Sequence, residues 1–291
     1  MTTTELTPPT PSQPPAGPPV QRGGLSSAIT DTLVMTWRNI RGGWRVPDNQ
    51  IYMFIQPIMF VLLFGFVFSG AIPIPGFEGD DMASRRYMMP GIFAQTMAFA
   101  VASASVGLAD DMHKGLIDRF RSLPMNRSAV ISGRVLADLT NQLVVLAIML
   151  LCGLLVGWRV ESGLLGFLAG IALLVMFAFA MLWVGALIGL AAGSPQVASS
   201  AGLIWLFPVT FLSNAFIPTP TLPSWLQPIA EWNPFSTFVA STRELFGNPR
   251  PFGTDSLPSQ YPIPMAIGWT VLIIAVIAPL AVRKYKRAAG G

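Results

Sequence analysis

Six long apolar runs, separated by shorter polar or proline-rich intervals, set the pattern of this chain; they fall at about 51–71, 88–108, 130–156, 164–190, 197–217 and 263–282. A helix of about 21 residues rises about 31 Å, enough to cross a hydrocarbon core of about 30 Å. The pattern therefore predicts an all-α membrane protein with six transmembrane helices. The third run is longer than a crossing needs and is expected to begin outside the hydrocarbon. Ahead of the first run, over 25–47, Leu25, Ile29, Leu33, Trp37, Ile40 and Trp44 recur at steps of three or four, with Arg38, Arg41 and Arg45 beside them. A basic amphipathic helix bearing tryptophans suits the inner headgroup region.

Two intervals between runs carry patterns of their own. In 109–134, Met112, Leu116, Phe120 and Leu123 keep helical spacing, and Lys114, Asp118, Arg121 and Ser122 fall elsewhere on the wheel. This predicts a short amphipathic helix over about 110–124, stopped by Pro124. The interval 218–262 is rich in Pro and Trp. Pro223 can start one short helix, Asn233-Pro234 breaks it, and a second piece over about 235–246 ends at Gly247. Trp225, Leu226, Ile229 and Trp232 form an apolar stripe. Two readings fit: a pair of re-entrant outer helices over about 223–246, or a loose aromatic belt at the interface.

Composition supports a bilayer. The chain is 52% hydrophobic and 11% charged, whereas soluble domains carry about 25% charged residues. Residues 1–24 hold seven prolines before position 20 and are expected to be a disordered tail. Their start lacks the basic region and apolar core of a signal peptide.

Charge placement sets orientation. Arg22, Arg38, Arg41 and Arg45, then Lys114, Arg119, Arg121, Arg127 and Arg134, then Arg283, Lys284, Lys286 and Arg287 lie in intervals on one side. The other side holds Arg85, Arg86, Arg159, Arg243 and Arg250. Basic loops stay inside, so both termini and 109–129 are expected in the cytoplasm, 48–287 forming one membrane domain.

Within the runs, Ala94, Ala98 and Ala102, and Gly185, Gly189 and Gly193, are spaced four apart. Such stripes let helices approach closely, although membrane helices are rich in Gly and Ala in any case. Arg134, Asp138 and Asn141 share one face of the third run, with Gln142 beside them. A central Asp costs about 2.5–3.5 kcal/mol on insertion. A local ion pair with Arg134 accounts for it; a part in substrate movement or subunit contact is the alternative. Gln95, Thr96, Ser213 and Asn214 are either helix-packing groups or points on a substrate path.

The chain has one Cys (Cys152) and one His (His113). It has no GxxxxGK[ST], GxSxG, HExxH or CxxC motif, so no phosphate loop, nucleophile–base pair or metal cluster can be assembled from these patterns. Work on a substrate would need energy from a partner or an ion gradient.

The first span with QPIMFVLLFGFVF, the inner loop KGLIDRFRSLPMNRSAVISGR, FLSNAFIP closing the fifth run and LPSWLQPIAEWNPFSTFVASTREL together resemble the membrane-spanning subunit of ABC-2 type transporters. DRFRSLPM is most similar to daunorubicin-resistance-type drug-export permeases. The resemblance covers about 25–287 and implies two permease subunits, identical or homologous, working with two separate ATPases. It implies no cofactor in this chain, with ATP and Mg in the partner ATPase. It also implies an ATPase-coupling region containing Met112, Lys114, Gly115, Asp118, Arg119, Phe120, Leu123 and Pro124. The first, second and fifth spans would line the subunit interface and the substrate route. The family's common loop places an acidic residue before its Gly and a Thr after it; here Lys114 and Leu116 flank Gly115.

The reading that follows is a non-enzymatic permease subunit of a plasma-membrane exporter of a lipophilic drug or lipid-like compound, with no nucleic-acid partner. Export of a cell-envelope lipid or lipid-linked glycan is a second reading. A proton-coupled transporter carrying its proton on Asp138 is a third, although no internal repeat is visible.

Overall fold

A computed structural model of the chain describes residues 25–43, 47–68, 79–115, 127–249 and 256–288. The expected tail, and with it Arg22, lies outside them, as do Trp44, Arg45, Leu116, Asp118, Arg119, Phe120, Arg121, Ser122, Leu123, Pro124 and Arg250. The described residues are helical, with no strand among them.

The helices are α1 (Leu25–Gly43), α2 (Pro47–Leu62, continued by a π turn over Leu63–Val67), α3 (Asp81–Ala98), α4 (Ala100–His113), α5 (Arg127–Val156) and α6 (Gly163–Ala191). They are followed by α7 (Pro195–Ile204), α8 (Leu206–Phe211), α9 (Gln227–Trp232), α10 (Pro234–Phe246), α11 (Leu257–Gln260) and α12 (Pro262–Ala288). Four stretches among the described residues are long and apolar enough to cross a membrane: Asp81–His113, Ser128–Val156, Gly163–Ala191 and Pro262–Arg287. The first run appears as a shorter apolar helix, Phe54–Val67.

Two expected spans are broken. The second begins at Asp81, where Asp80 accepts hydrogen bonds from the amides of Met82 and Ala83, and it is interrupted at Phe99. Just past that point the Ser103 and Ser105 hydroxyls donate to the carbonyls of Ala100 and Ala102 at 3.0 and 2.9 Å. The fifth run, expected to be continuous over 197–217, is two helices broken at Trp205 and ending at Phe211. Pro208 is the physical reason: it has no N–H for the carbonyl four residues back, and its ring clashes with that carbonyl.

The core is built on α6. On α6, Gly185 and Gly189 face α4: a Cβ on Gly189 would sit 2.5 Å from the Ser105 carbonyl oxygen, and one on Gly185 would overlap that of Val101. The expected small-residue contact is therefore real for those two, and its partner is α4. Gly193 has nothing within 4 Å and is not part of it. Ala94 and Ala98 are buried, whereas Ala102 is half-exposed. Helix α7 docks on α4 through Ser105, whose one hydroxyl proton is shared between the Ala102 carbonyl and the Ala198 carbonyl, 3.0 Å away.

Helix α10 enters the bundle, with Phe235, Phe238, Val239 and Phe246 buried among α3, α6 and α12. Over the interval expected to hold two short helices from about 223, the chain forms α9, which starts later, at Gln227, and α10. Gly247 ends α10 with φ +69°, the left-handed stop that glycine allows. The Asn233 side chain caps α10 on the Phe235 amide and donates to the carbonyls of Val209 and Leu212 at 2.6 and 2.9 Å, tying the end of α8 to α10. Arg243, counted above as an outer-side charge, is 2% exposed. It is a core residue and gives no vote on orientation, since that bias is counted over loops.

Helix α1 lies along α5, burying Met35 against Gly133. Ile29, Leu33 and Trp37 stay exposed on its other side. That stripe has the form of a surface helix whose apolar face rests in an interface.

Candidate functional site

The bundle's two ends differ. At one, the α3 and α5 termini and the links after α5 and α10 are joined by an Arg86–Glu161 ion pair at 2.5 Å and a Trp158–Asn248 hydrogen bond at 2.7 Å. At the other, the end of α4 meets the start of α5. Arg134 pairs there with Asp138 at 3.2 Å on its own helix and with Asp111 of α4 at 2.5 Å. Gly107 makes room: a Cβ there would overlap the Arg134 guanidinium. Arg38 of α1 and Tyr285 of α12 lie within electrostatic reach of the same cluster.

The Arg134–Asp138 pair follows from spacing four apart on a helix. Asp111 escaped the sequence reading, yet a signal existed: it ends one apolar run while Arg134 opens the next, and a short link brings such ends together. Replacing Asp138 by Asn, which keeps an acceptor for Arg134 but removes the charge, is expected to cost about 1–2 kcal/mol of stability. Thermal unfolding in nanodiscs would read this, with cargo preference unchanged. Unchanged stability with altered cargo choice would make Asp138 a substrate contact.

Helix α4 ends at His113. Met112 lies in its last turn, Lys114 caps it, and Gly115 takes φ +64°. Lys114 pairs with Asp110 at 2.6 Å, and that hydrogen bond and charge hold its ammonium above its ordinary pKa. Of the stretch expected as a helix over 110–124, the described residues finish α4 and turn at the left-handed Gly115. Asp118, Arg119, Phe120, Leu123 and Pro124 lie outside the described residues.

Beside the breaks at Phe99 and Trp205 lies a cavity of about 500 Å³. Gln56, Pro57 and Phe60 of α2, Thr96 and Phe99 of the second span, Ala102 and Ser103 of α4, Gln142 and Val145 of α5, and Leu203 and Phe207 line it. Phe60, Phe64, Phe216, Phe211, Phe207 and Phe99 form a closed circuit of ring contacts, with centroids 4.8–6.3 Å apart, joining the first, second and fifth runs. No charged side chain is among the lining residues. A second, more polar hollow of about 530 Å³ shares Ala102 and Ser103 with it and reaches Gly107, Asp110, Arg134 and Pro195. One face of α4 therefore runs from the charged end into the apolar cavity.

Of the four expected path residues, Thr96 lines the cavity. Gln95 is buried away from its lining. Ser213 donates to the Thr210 carbonyl and accepts from the Ala215 amide. The Asn214 backbone receives the Tyr87 hydroxyl at 2.9 Å and donates to Ser236 at 3.0 Å. Ser213 and Asn214 thus hold the turn after α8. Asn141 keeps a buried Oδ1 with no hydrogen-bond partner, as do Thr96 at its hydroxyl and Gln142 at Oε1. Gln56, Ser103 and Gln142 were not legible as cavity residues, because the breaks that expose them are tertiary features.

Residues 30–246 match the family described as ABC-2 type transporter. The chain is 30% identical over 266 residues to the daunorubicin resistance ABC transporter permease protein DrrB1 of Streptomyces coeruleorubidus, covering 91% of this chain and 89% of that protein. It is 29% identical over 231 residues to the doxorubicin resistance ABC transporter permease protein DrrB of Mycobacterium tuberculosis, covering 76% of this chain and 77% of that protein.

Proposed function

The chain belongs to the ABC-2 type transporter family, and from that premise we propose that it is the permease subunit of an ATP-driven exporter of a lipophilic drug or lipid-like compound. The family makes it a multi-pass membrane transport subunit. The proposal adds six crossings, both termini in the cytoplasm and residence in the plasma membrane. It pairs the chain with a second permease and two ATPase subunits, which bind ATP and Mg.

The observation that carries this reading is the uncharged, aromatic-walled cavity at the breaks of the second and fifth runs. Its volume falls within the range of about 300–1,000 Å³ typical of small-molecule sites. The cavity lies beside α4, and α4 ends at the coupling region. ATPase closure would press on Lys114, Gly115 and the following residues, and α4 would carry that movement to the cavity as a rigid element. The breaks supply joints at which spans can tilt without losing the α4–α6 contact. The names of the resistance permeases point to cargo of that lipophilic kind.

The test is reconstitution in vesicles with and without the ATPase subunit. ATP-dependent drug uptake into inverted vesicles is expected only with it. Gly115→Leu, which forces a side chain onto a left-handed backbone, is expected to reduce transport at least about tenfold while ATP hydrolysis continues. Transport without any nucleotide-binding partner would overturn the exporter reading; full transport by the Gly115 variant would remove the coupling role.

A further inference from the structure

The two hollows lie along the seam between α4 and α5. The apolar cavity takes Ala102 and Ser103 from α4 and Gln142 and Val145 from α5. The polar hollow takes Gly107 and Asp110 from α4 and Arg134 from α5. Away from the seam the two helices have different supports: α4 packs chiefly on α6 and α7, and α5 chiefly on α1. At the charged end the seam is closed by the ion pair from Arg134 of α5 to Asp111 of α4, at 2.5 Å, with the guanidinium lying on Gly107.

Two features make this pair easy to open. Breaking a buried pair normally strands one charge in the interior. Here Arg134 keeps Asp138, 3.2 Å away on its own helix, and so stays paired when Asp111 leaves. The Asp111 side chain is 24% exposed and stands two residues from the end of α4, so water can solvate the released carboxylate. Gly115, left-handed at φ +64°, follows that end, where the exporter reading puts the push from the ATPase. The pair thus ties two separately supported helices at the place where movement arrives.

Resting on that reading, we infer that the Asp111–Arg134 pair is a releasable latch between α4 and α5. Closed, as in this structure, it holds the end of α4 against α5. Opened, it lets α4 move with α6 and α7 while α5 stays with α1, a rigid-body shift between two arrangements. That shift widens the passage between the polar hollow and the apolar cavity at Ala102 and Ser103, which line both. Asp111 is a positioning residue in this device, and Asp138 keeps Arg134 in place while the latch is open.

The test uses the full chain with its ATPase subunit in vesicles, in a Cys152→Ala background that removes the one native cysteine. His113→Cys on α4 and Ser132→Cys on α5, each two residues beyond the pair, give a site for a reducible bis-methanethiosulfonate cross-linker. Cross-linking is expected without nucleotide and about fivefold slower with a non-hydrolysable ATP analogue. Cross-linked protein is expected to lose transport and regain it on reduction, with the unlinked double-cysteine chain as control. Asp111→Ala is expected to make cross-linking insensitive to the analogue and to lower transport about tenfold while ATP hydrolysis continues; Asp111→Glu is expected to restore both. A brace that only stabilises the fold would move the unfolding temperature and none of these readings. If Asp111→Ala yields no folded protein, Asp111→Asn, which keeps an acceptor without the charge, takes its place, with the same changes expected in smaller measure. Cross-linking that ignores the nucleotide, full transport by cross-linked protein, or native coupling in the Asp111 variant overturns the inference. A native complex that fails to transport would sink the exporter reading, with the cross-linking response still reporting on the latch. A transporting complex without that response would sink the inference alone.

Discussion

Arg243→Met is expected to lower the stability of the folded chain by about 3–5 kcal/mol, the scale at which breaking a buried charged network acts. The guanidinium donates to the Tyr87 carbonyl and to the Ala215 carbonyl, each at 2.8 Å, and lies 3.6 Å from the Tyr87 ring centroid. Tyr87 in turn donates to the Asn214 carbonyl. One side chain of α10 thus ties together α3 and the turn that follows α8. Methionine would fill much of the volume but supply no donor, leaving two carbonyls in an apolar interior. Each orphaned partner costs about 1–3 kcal/mol, and a desolvated cation–π contact contributes about 2 kcal/mol. Removing a buried charge returns some desolvation energy, which keeps the net below the sum. Arg243→Lys keeps the charge but loses the fork that reaches both carbonyls, so an intermediate loss is expected. Thermal unfolding in nanodiscs would read the series; equal midpoints for Arg, Lys and Met would show that the network does not hold the bundle.

The Gly185→Leu/Gly189→Leu double variant is expected to lose more than about 3 kcal/mol and to abolish transport. At both positions the obstruction is backbone of α4, which cannot move aside like a flexible side chain. Inserting bulk into a packed core costs about 1–3 kcal/mol per site even where neighbours can adjust. Here α4 and α6 would have to separate, and α4 also carries the cavity face. Gly193→Leu is the control, because nothing lies within 4 Å of that position. A double variant as stable and active as the control would mean that the close approach of α4 and α6 is dispensable.

The apolar runs and their punctuation made most helices legible. Gly247 had to end α10, since a left-handed backbone suits glycine. Arg134 and Asp138 had to be neighbours, four apart on one helix. The breaks were less legible. Pro208 stood in the sequence as a signal for the Trp205 break, yet the run around it is apolar enough to read as continuous. The interruption at Phe99 has no proline or glycine beside it to announce it.

By itself the sequence determined a helical membrane protein, its first amphipathic helix, the two short helices before Gly247 and the family resemblance, because apolar periodicity and turn residues act over a few residues of chain. Tertiary structure decided what the polar residues do. Asn233 ties α8 to α10, Arg243 becomes a core residue instead of a loop charge, and Asp111 joins Arg134. It also ended α4 before a left-handed Gly115, and it placed Thr96 and Gln142 beside one cavity. These outcomes depend on contacts between residues far apart in the chain, where the energy of a hydrogen bond or ion pair is set by what burial places opposite it.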